Sequence, residues 1–129
     1  MADAALKKKR PVYLNLVLIR LPLPGFVSIL HRVSGMLLFV VAFGLLALLD
    51  WSLESAESYA WVREIVALPL VKLVLIGIAW AFVHHFCAGI RYLFLDLDMG
   101  VDLAAARASS WAVLAVSIAL TLIFGAWLW

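Results

Sequence analysis

Three long apolar runs, residues 26–49, 65–94 and 108–129, constrain this chain more than any other feature. A bilayer's hydrocarbon core is about 30 Å thick and a helix rises about 1.5 Å per residue, so roughly 20 apolar residues make one span. Each run is long enough. The first holds nothing ionisable between Arg32 and Asp50, and the third carries no charge and closes on Trp127 and Trp129. The second is interrupted by Lys72, His84, His85 and Arg91. Membrane β-strands would instead read as alternating segments of about ten residues, a pattern absent here. With 67% apolar and 14% charged residues, against about 25% charged in a soluble domain, the chain reads as an all-α integral membrane protein with three transmembrane helices in a lipid bilayer. So few, clustered charges give no nucleic-acid-binding face. The single cysteine, Cys87, excludes an internal disulfide and a CxxC metal site.

The sequence divides into a basic lead-in, residues 1–25, and a three-helix anchor domain, residues 26–129. Pro11, Pro22 and Pro24 oppose one continuous helix through the lead-in. The first long apolar run comes late and has no small-residue cleavage site, so the N-terminus is expected to be retained. Residues 50–64 and 96–107 read as short polar connections. Lys7, Lys8, Lys9, Arg10, Arg20 and Arg32 precede or open the first span, while the first connection holds Asp50, Glu54, Glu57 and Glu64 against Arg63 alone. The positive-inside rule then puts the N-terminus in the cytoplasm and, after three spans, the C-terminus on the far side.

Ionisable groups inside a span are costly, so each is a candidate functional group. Lys72, near the outer start of span two, can carry its ammonium to the interface along its apolar stem, and Arg91, near the inner end, can do likewise. His85 has Ala81, Ala88 and Gly89 three or four residues away, with Phe82 beside them. Residues at that spacing share a helix face, so they form a shallow bay that a flat group could enter, with His85 as its ligand. The alternative is that the small residues serve close helix packing and the imidazole bonds across the interface. His84 points about 100° away, on a face with Gly77, Trp80 and Arg91. In span one, Ser28, His31, Arg32 and Gly35 fall at i, i+3, i+4 and i+7, along one stripe. Hydroxyl, imidazole and guanidinium groups there would offer donors to an anionic or carbonyl-bearing ligand; alternatively, His31 and Arg32 meet lipid phosphates. The assigned orientation brings Ser28, His31, Arg32, His85 and Arg91 into one leaflet. The two arginines would suit haem propionates, and a single histidine leaves the second axial ligand to a partner chain.

The runs RPVYLNLVLIRLPLPGFVSILHRVSG, residues 10–35, and HHFCAGIRYLFLDLDMG, residues 84–100, resemble the cytochrome b556 membrane-anchor subunits of succinate dehydrogenase, respiratory complex II. The family pattern RP, SILHR, SG is met at Arg10, Pro11, residues 28–32, Ser34 and Gly35. The pattern of His, three residues, GIR and a downstream Asp is met at His85, Gly89, Ile90, Arg91 and Asp96. The resemblance implies half of a heterodimeric haem-binding helical bundle in a bacterial inner membrane. His85 would be an axial ligand of haem b shared with a second small anchor subunit. Ser28 and Arg32 would line a ubiquinone site and His31 would lie near the haem propionates; Arg91 keeps the propionate role read from its charge, and His84, which has no fixed role in the pattern, is left as a group behind the ligand or at the helix interface. The family often has a second histidine directly after GIR, and this sequence has Tyr92. By the same resemblance, a flavoprotein subunit oxidises succinate and an iron–sulfur subunit passes the electrons on, so this chain would anchor both without oxidising succinate itself. Two rival readings are the anchor of a fumarate reductase and a non-redox membrane scaffold with structural histidines.

Overall fold

Pro22 and Pro24 decide where the first helix begins. Proline has no N–H to donate and its φ suits the first helical turn; Pro22 stays extended, and its carbonyl accepts from the N–H groups of Gly25 and Phe26. The computed structural model describes residues 18–129, which form α1 (Leu23–Glu54), α2 (Ala56–Ala67), α3 (Pro69–Asp96) and α4 (Leu103–Leu128). No strand occurs among the described residues. Helices α1, α3 and α4 are each long and apolar enough to cross a membrane. The basic cluster Lys7, Lys8, Lys9 and Arg10, with Pro11, lies outside the described residues.

Residues 50–64 are not the polar connection expected. Helix α1 runs on through Glu54, and Ser55 turns the chain with an extended backbone, φ −158°. Ser55 then caps α2: its hydroxyl oxygen accepts from the Ser58 N–H at 3.0 Å, while the Ser58 hydroxyl oxygen accepts from the Ser55 N–H at 3.0 Å. This reciprocal capping satisfies two backbone donors and starts a helix in a segment whose charge reads as loop. Residues 65–67 belong to α2 and not to the second span. Leu68 is extended, as a residue before proline prefers, and α3 starts at Pro69. Helix α4 starts at Leu103, five residues before the expected position of Ala108. Between α3 and α4, Asp98 (φ 58°) and Gly100 (φ 74°) take left-handed conformations that turn the chain sharply.

The transmembrane helices run antiparallel in sequence order. Helix α3 is central, packing most extensively on α4 and then α1, with a lesser contact between α1 and α4. Apart from His84 and Arg91, the interior is made of small, β-branched and hydroxyl-bearing residues. Val27, Ala81, Ala88 and Val113 are buried together with Ser34, Ser110, Ser117 and Thr121. Large apolar side chains, including Phe39, Phe43, Leu46, Phe82, Leu122 and Trp127, point outward. This inversion suits lipid, where helices associate by close backbone packing and exposure of leucine costs nothing. The buried α4 hydroxyls are satisfied within their own helix: Ser110 donates to the Ala106 carbonyl at 2.7 Å, Ser117 to Leu114 at 3.0 Å and Thr121 to Ser117 at 2.7 Å.

Lys72 has a more specific role than reaching an interface. Its Nζ donates to the Trp129 carbonyl at 3.3 Å and lies 5.6 Å from the centre of that indole ring. It joins the start of α3 to the end of α4. On the same flank, Gly125 lets Ile76 approach so closely that a Cβ would meet Ile76 Cδ1 at 3.3 Å.

A small-residue interior makes a testable demand. Ala88→Leu should destabilise the purified chain in detergent by about 1–3 kcal/mol through overpacking. The outward Leu122→Ala should stay within about 0.5 kcal/mol. Thermal unfolding of the two variants checks the order, which a conventional apolar core would reverse.

Candidate functional site

The two histidines of α3 separate because the bundle axis passes closer to one than to the other. Neighbouring helical residues point about 100° apart, and α3 buries the line Ala81, His84, Ala88, Arg91. Ala81 and Ala88 stand three or four positions from both histidines, so their spacing alone assigns them to neither. In the structure they lie with His84 on the buried face. The bay expected beside His85 is therefore reduced to Gly89.

That bay holds a flat group, the imidazole of His31 from α1. The His31 and His85 rings stack with centroids 4.1 Å apart and planes 9° apart. The Tyr92 ring lies tilted, 5.0 Å from that of His31. His85, Gly89 and Tyr92 occupy i, i+4 and i+7, one face of α3. A Cβ at Gly89 would meet His31 Nε2 at 3.8 Å, an ordinary contact, so the ring packs directly against this stretch of α3.

His31 also contacts His85 through its backbone. His85 Nδ1 lies 2.9 Å from the His31 carbonyl oxygen and 3.2 Å from Ser34 Oγ. Nδ1–H donation to the carbonyl leaves the lone pair of a neutral imidazole on Nε2. Nε2 makes no hydrogen bond among the described residues, and the ring is only half-buried. An imidazole with one nitrogen held by a backbone carbonyl and the other free has the arrangement of a metal-ligating histidine, so His85 fits an iron ligand. A shallow groove of about 330 Å³ runs past it along Phe86, Gly89, Ile90 and Leu93.

His84 is different. It is 0% exposed, and its ring stacks on Trp80 at 5.2 Å, as their shared face predicts. Both ring nitrogens are buried and unpartnered, the nearby Val27 carbonyl of α1 lying outside hydrogen-bond geometry. An unsatisfied buried polar group costs about 1–3 kcal/mol, so this position is not optimised for stability alone.

The span-one stripe opens out rather than facing inward as a unit. The inward line of α1 is Val27, His31, Ser34, and Gly35 packs beside it. Ser28 is half-buried and Arg32 is exposed. Arg32 follows His31 directly, and the rotation of about 100° per residue turns it away once His31 faces α3. Arg91 is buried, 7% exposed, and turned toward α4. Its Nε donates to Ser109 Oγ at 2.9 Å and its Nη2 to the Ala106 carbonyl at 3.4 Å, while the guanidinium lies 5.5 Å from the Tyr92 ring. It lines a second, mostly apolar groove of about 380 Å³ between α3 and α4, which includes none of the histidines. Sequence reasoning noted Ser34 only as a residue of the family pattern, with no role, and missed Ser109. It also missed the Ser110, Ser117, Thr121 line, whose i, i+7, i+11 spacing is a readable helical stripe.

Comparison with known proteins bears directly on this arrangement. Residues 7–124 match the family model described as succinate dehydrogenase/fumarate reductase transmembrane subunit. Curated relatives named succinate dehydrogenase cytochrome b556 subunit include one from Rickettsia felis, 31% identical over 115 residues covering 89% of this chain and 90% of that one. Another from Coxiella burnetii is 33% identical over 122 residues, 94% of this chain and 98% of that one. A third, from Paracoccus denitrificans, is 32% identical over 126 residues, 95% and 94% of the two chains. With its three spans and nearly end-to-end matches, the chain belongs to the family of transmembrane subunits of succinate dehydrogenase and fumarate reductase.

Proposed function

We propose that this chain is the cytochrome b membrane anchor of a succinate:ubiquinone oxidoreductase. In that role it would hold the flavoprotein and iron–sulfur subunits at the membrane, bind haem b jointly with a second small anchor subunit and help form the ubiquinone-reducing site. The observation that carries this reading is the His85 imidazole, with Nδ1 tied to the His31 carbonyl and Nε2 free. Unlike the fully buried His84, His85 is half-buried and lines a groove, so a ligand from outside this chain can reach it. The cytochrome b556 names of the relatives from three genera favour the succinate direction over fumarate reduction and a haem protein over a bare scaffold.

His85 would hold the haem iron through Nε2, and the partner subunit would supply a second ligand. Haem b, when bound, supplies a one-electron carrier, its potential tuned by axial ligand, burial and hydrogen bonding. His31 holds the His85 ring in plane by stacking and in tautomer by its carbonyl. Arg91 and His84 lie behind the ligand on the buried face and would act on the haem from there, through charge and packing. Ubiquinone reduction takes two electrons and two protons, so groups that bond a carbonyl oxygen as negative charge builds favour the reduced form. Ser28 and Arg32, four residues apart on α1, would serve there: Ser28 donates to the quinone oxygen and Arg32 stabilises the developing charge. Residues 1–25, with their basic cluster, would lie in the cytoplasm as a docking surface for the soluble subunits, and residues 26–129 would form the anchor proper. That orientation has the positive-inside rule behind it, with Arg20 and Arg32 at one end and Asp50, Glu54, Glu57 and Glu64 at the other. The C-terminus would then be periplasmic.

Reporter fusions should place residue 57 outside and residue 100 in the cytoplasm; a cytoplasmic signal at 57 rejects the orientation. In the assembled complex, His85→Ala should abolish or alter the reduced-minus-oxidised haem spectrum, and His84→Ala should largely keep it. Equal loss in both variants defeats the assignment of the ligand. A hydrogen bond to a neutral partner contributes about 0.5–1.5 kcal/mol and one from a charged donor about 1.5–3, and about 1.4 kcal/mol is tenfold in rate. Arg32→Ala should therefore slow quinone reduction by about one to two orders of magnitude, more than Ser28→Ala, while electron transfer to a dye acting upstream is unchanged. A parallel fall in dye-linked activity would mean that the residues act through assembly.

A further inference from the structure

We propose that Ser34 is a positioning residue whose hydroxyl oxygen is a second acceptor for the His85 Nδ1–H and makes Nε2 a stronger electron donor to iron. The inference rests on the reading of His85 as a haem ligand and goes beyond it, since Ser34 belongs to no predicted site.

Ser34 is 4% exposed, on the face of α1 packed against α3. Its hydroxyl donates to the His31 carbonyl at 2.9 Å. With its hydrogen used there, the Oγ that lies 3.2 Å from His85 Nδ1 presents lone pairs to that nitrogen. The His31 carbonyl, 2.9 Å from the same nitrogen, presents lone pairs too. The carbonyl can only accept, so it requires Nδ1 to carry the hydrogen, and Ser34 Oγ, its own hydrogen directed to that carbonyl, is then a second acceptor for the same N–H. The opposite tautomer, with Nε2–H, would set the Nδ1 lone pair against the carbonyl and would have no lone pair for iron at Nε2. Gly35 keeps the ring in this clamp's reach. A Cβ there would lie 2.8 Å from His85 Cε1 and 3.3 Å from Nδ1, so any larger residue would push the imidazole off both acceptors.

Acceptors that draw on the far N–H raise the basicity of the coordinating nitrogen. A more basic axial ligand favours ferric over ferrous iron and so lowers the potential of a haem. Ser34 would supply part of that pull, and the backbone carbonyl, which substitution cannot remove, would supply the rest.

The test is a redox titration of the haem in the assembled complex, comparing wild type with Ser34→Ala and Ser34→Thr. Ser34→Ala should raise the midpoint, increasing the ferrous-to-ferric ratio at the wild-type midpoint about three- to tenfold, where tenfold equals 59 mV for one electron. Ser34→Thr, which keeps the hydroxyl, should remain closer to wild type. An unchanged midpoint in Ser34→Ala overturns the proposal, as does a shift in Ser34→Thr equal to that in Ser34→Ala. If the alanine variant assembles without haem, retention of haem by the threonine variant supports the proposal and loss from both overturns it. A wild-type complex that binds no haem refutes the ligand reading as well. A haem complex whose potential ignores the Ser34 hydroxyl refutes only the role given to Ser34.

Discussion

Lipid removes the force that holds most proteins together. Moving leucine from hydrocarbon to a helix interface gains little, so transmembrane helices stay together only where backbones can come close or polar groups can meet. The interior of this chain follows from that constraint. Ala81 and Ala88 thin the inward face of α3, Ser110, Ser117 and Thr121 thin that of α4, and Ser34 and Gly35 thin that of α1. The hydroxyls add no unsatisfied polarity, because the chains of α4 bond back to their own helix and Ser34 bonds to the His31 carbonyl. Small size and internal satisfaction make serine nearly as good a packing residue as alanine here.

The histidine seam depends on the same closeness. Backbone groups of α1 can reach a side chain of α3 only because Ser34 and Gly35 put no bulk between them. The approach that packs the two helices thus also turns a carbonyl of α1 into a hydrogen-bond acceptor for His85, so a substitution that spreads the helices would disturb the imidazole without touching it.

The three spans and their order are legible in the sequence because length and hydropathy alone decide them. Helix α2 is not legible, since its start depends on a reciprocal bond between Ser55 and Ser58 and not on any apolar run. The stripe of Ser28, His31, Arg32 and Gly35 has the right period but spans too wide an arc, and only packing reveals that its His31 edge is the one facing inward. Spacing could not divide Ala81 and Ala88 between His84 and His85 for the same reason. Arg91 is recognisable as costly in a membrane, but its bonds to Ser109 and the Ala106 carbonyl depend on how α4 returns along α3. Where periodicity leaves a choice between adjacent residues, tertiary packing makes it.

Helices α3 and α4 are fastened at both ends, by Lys72 on the Trp129 carbonyl and by Arg91 on Ser109 and Ala106. Helix α1 is pinned to α3 by polar contacts only around His31 and Ser34, near its own beginning, and extends well past them to Glu54. Mechanically, the pair α3–α4 is a braced frame and α1 a lever whose fulcrum is the imidazole stack. Val27, buried with Ala88 and Val113, backs the short arm just before the stack, so a load on residues 18–30 falls on that apolar contact and on the His85 ring together.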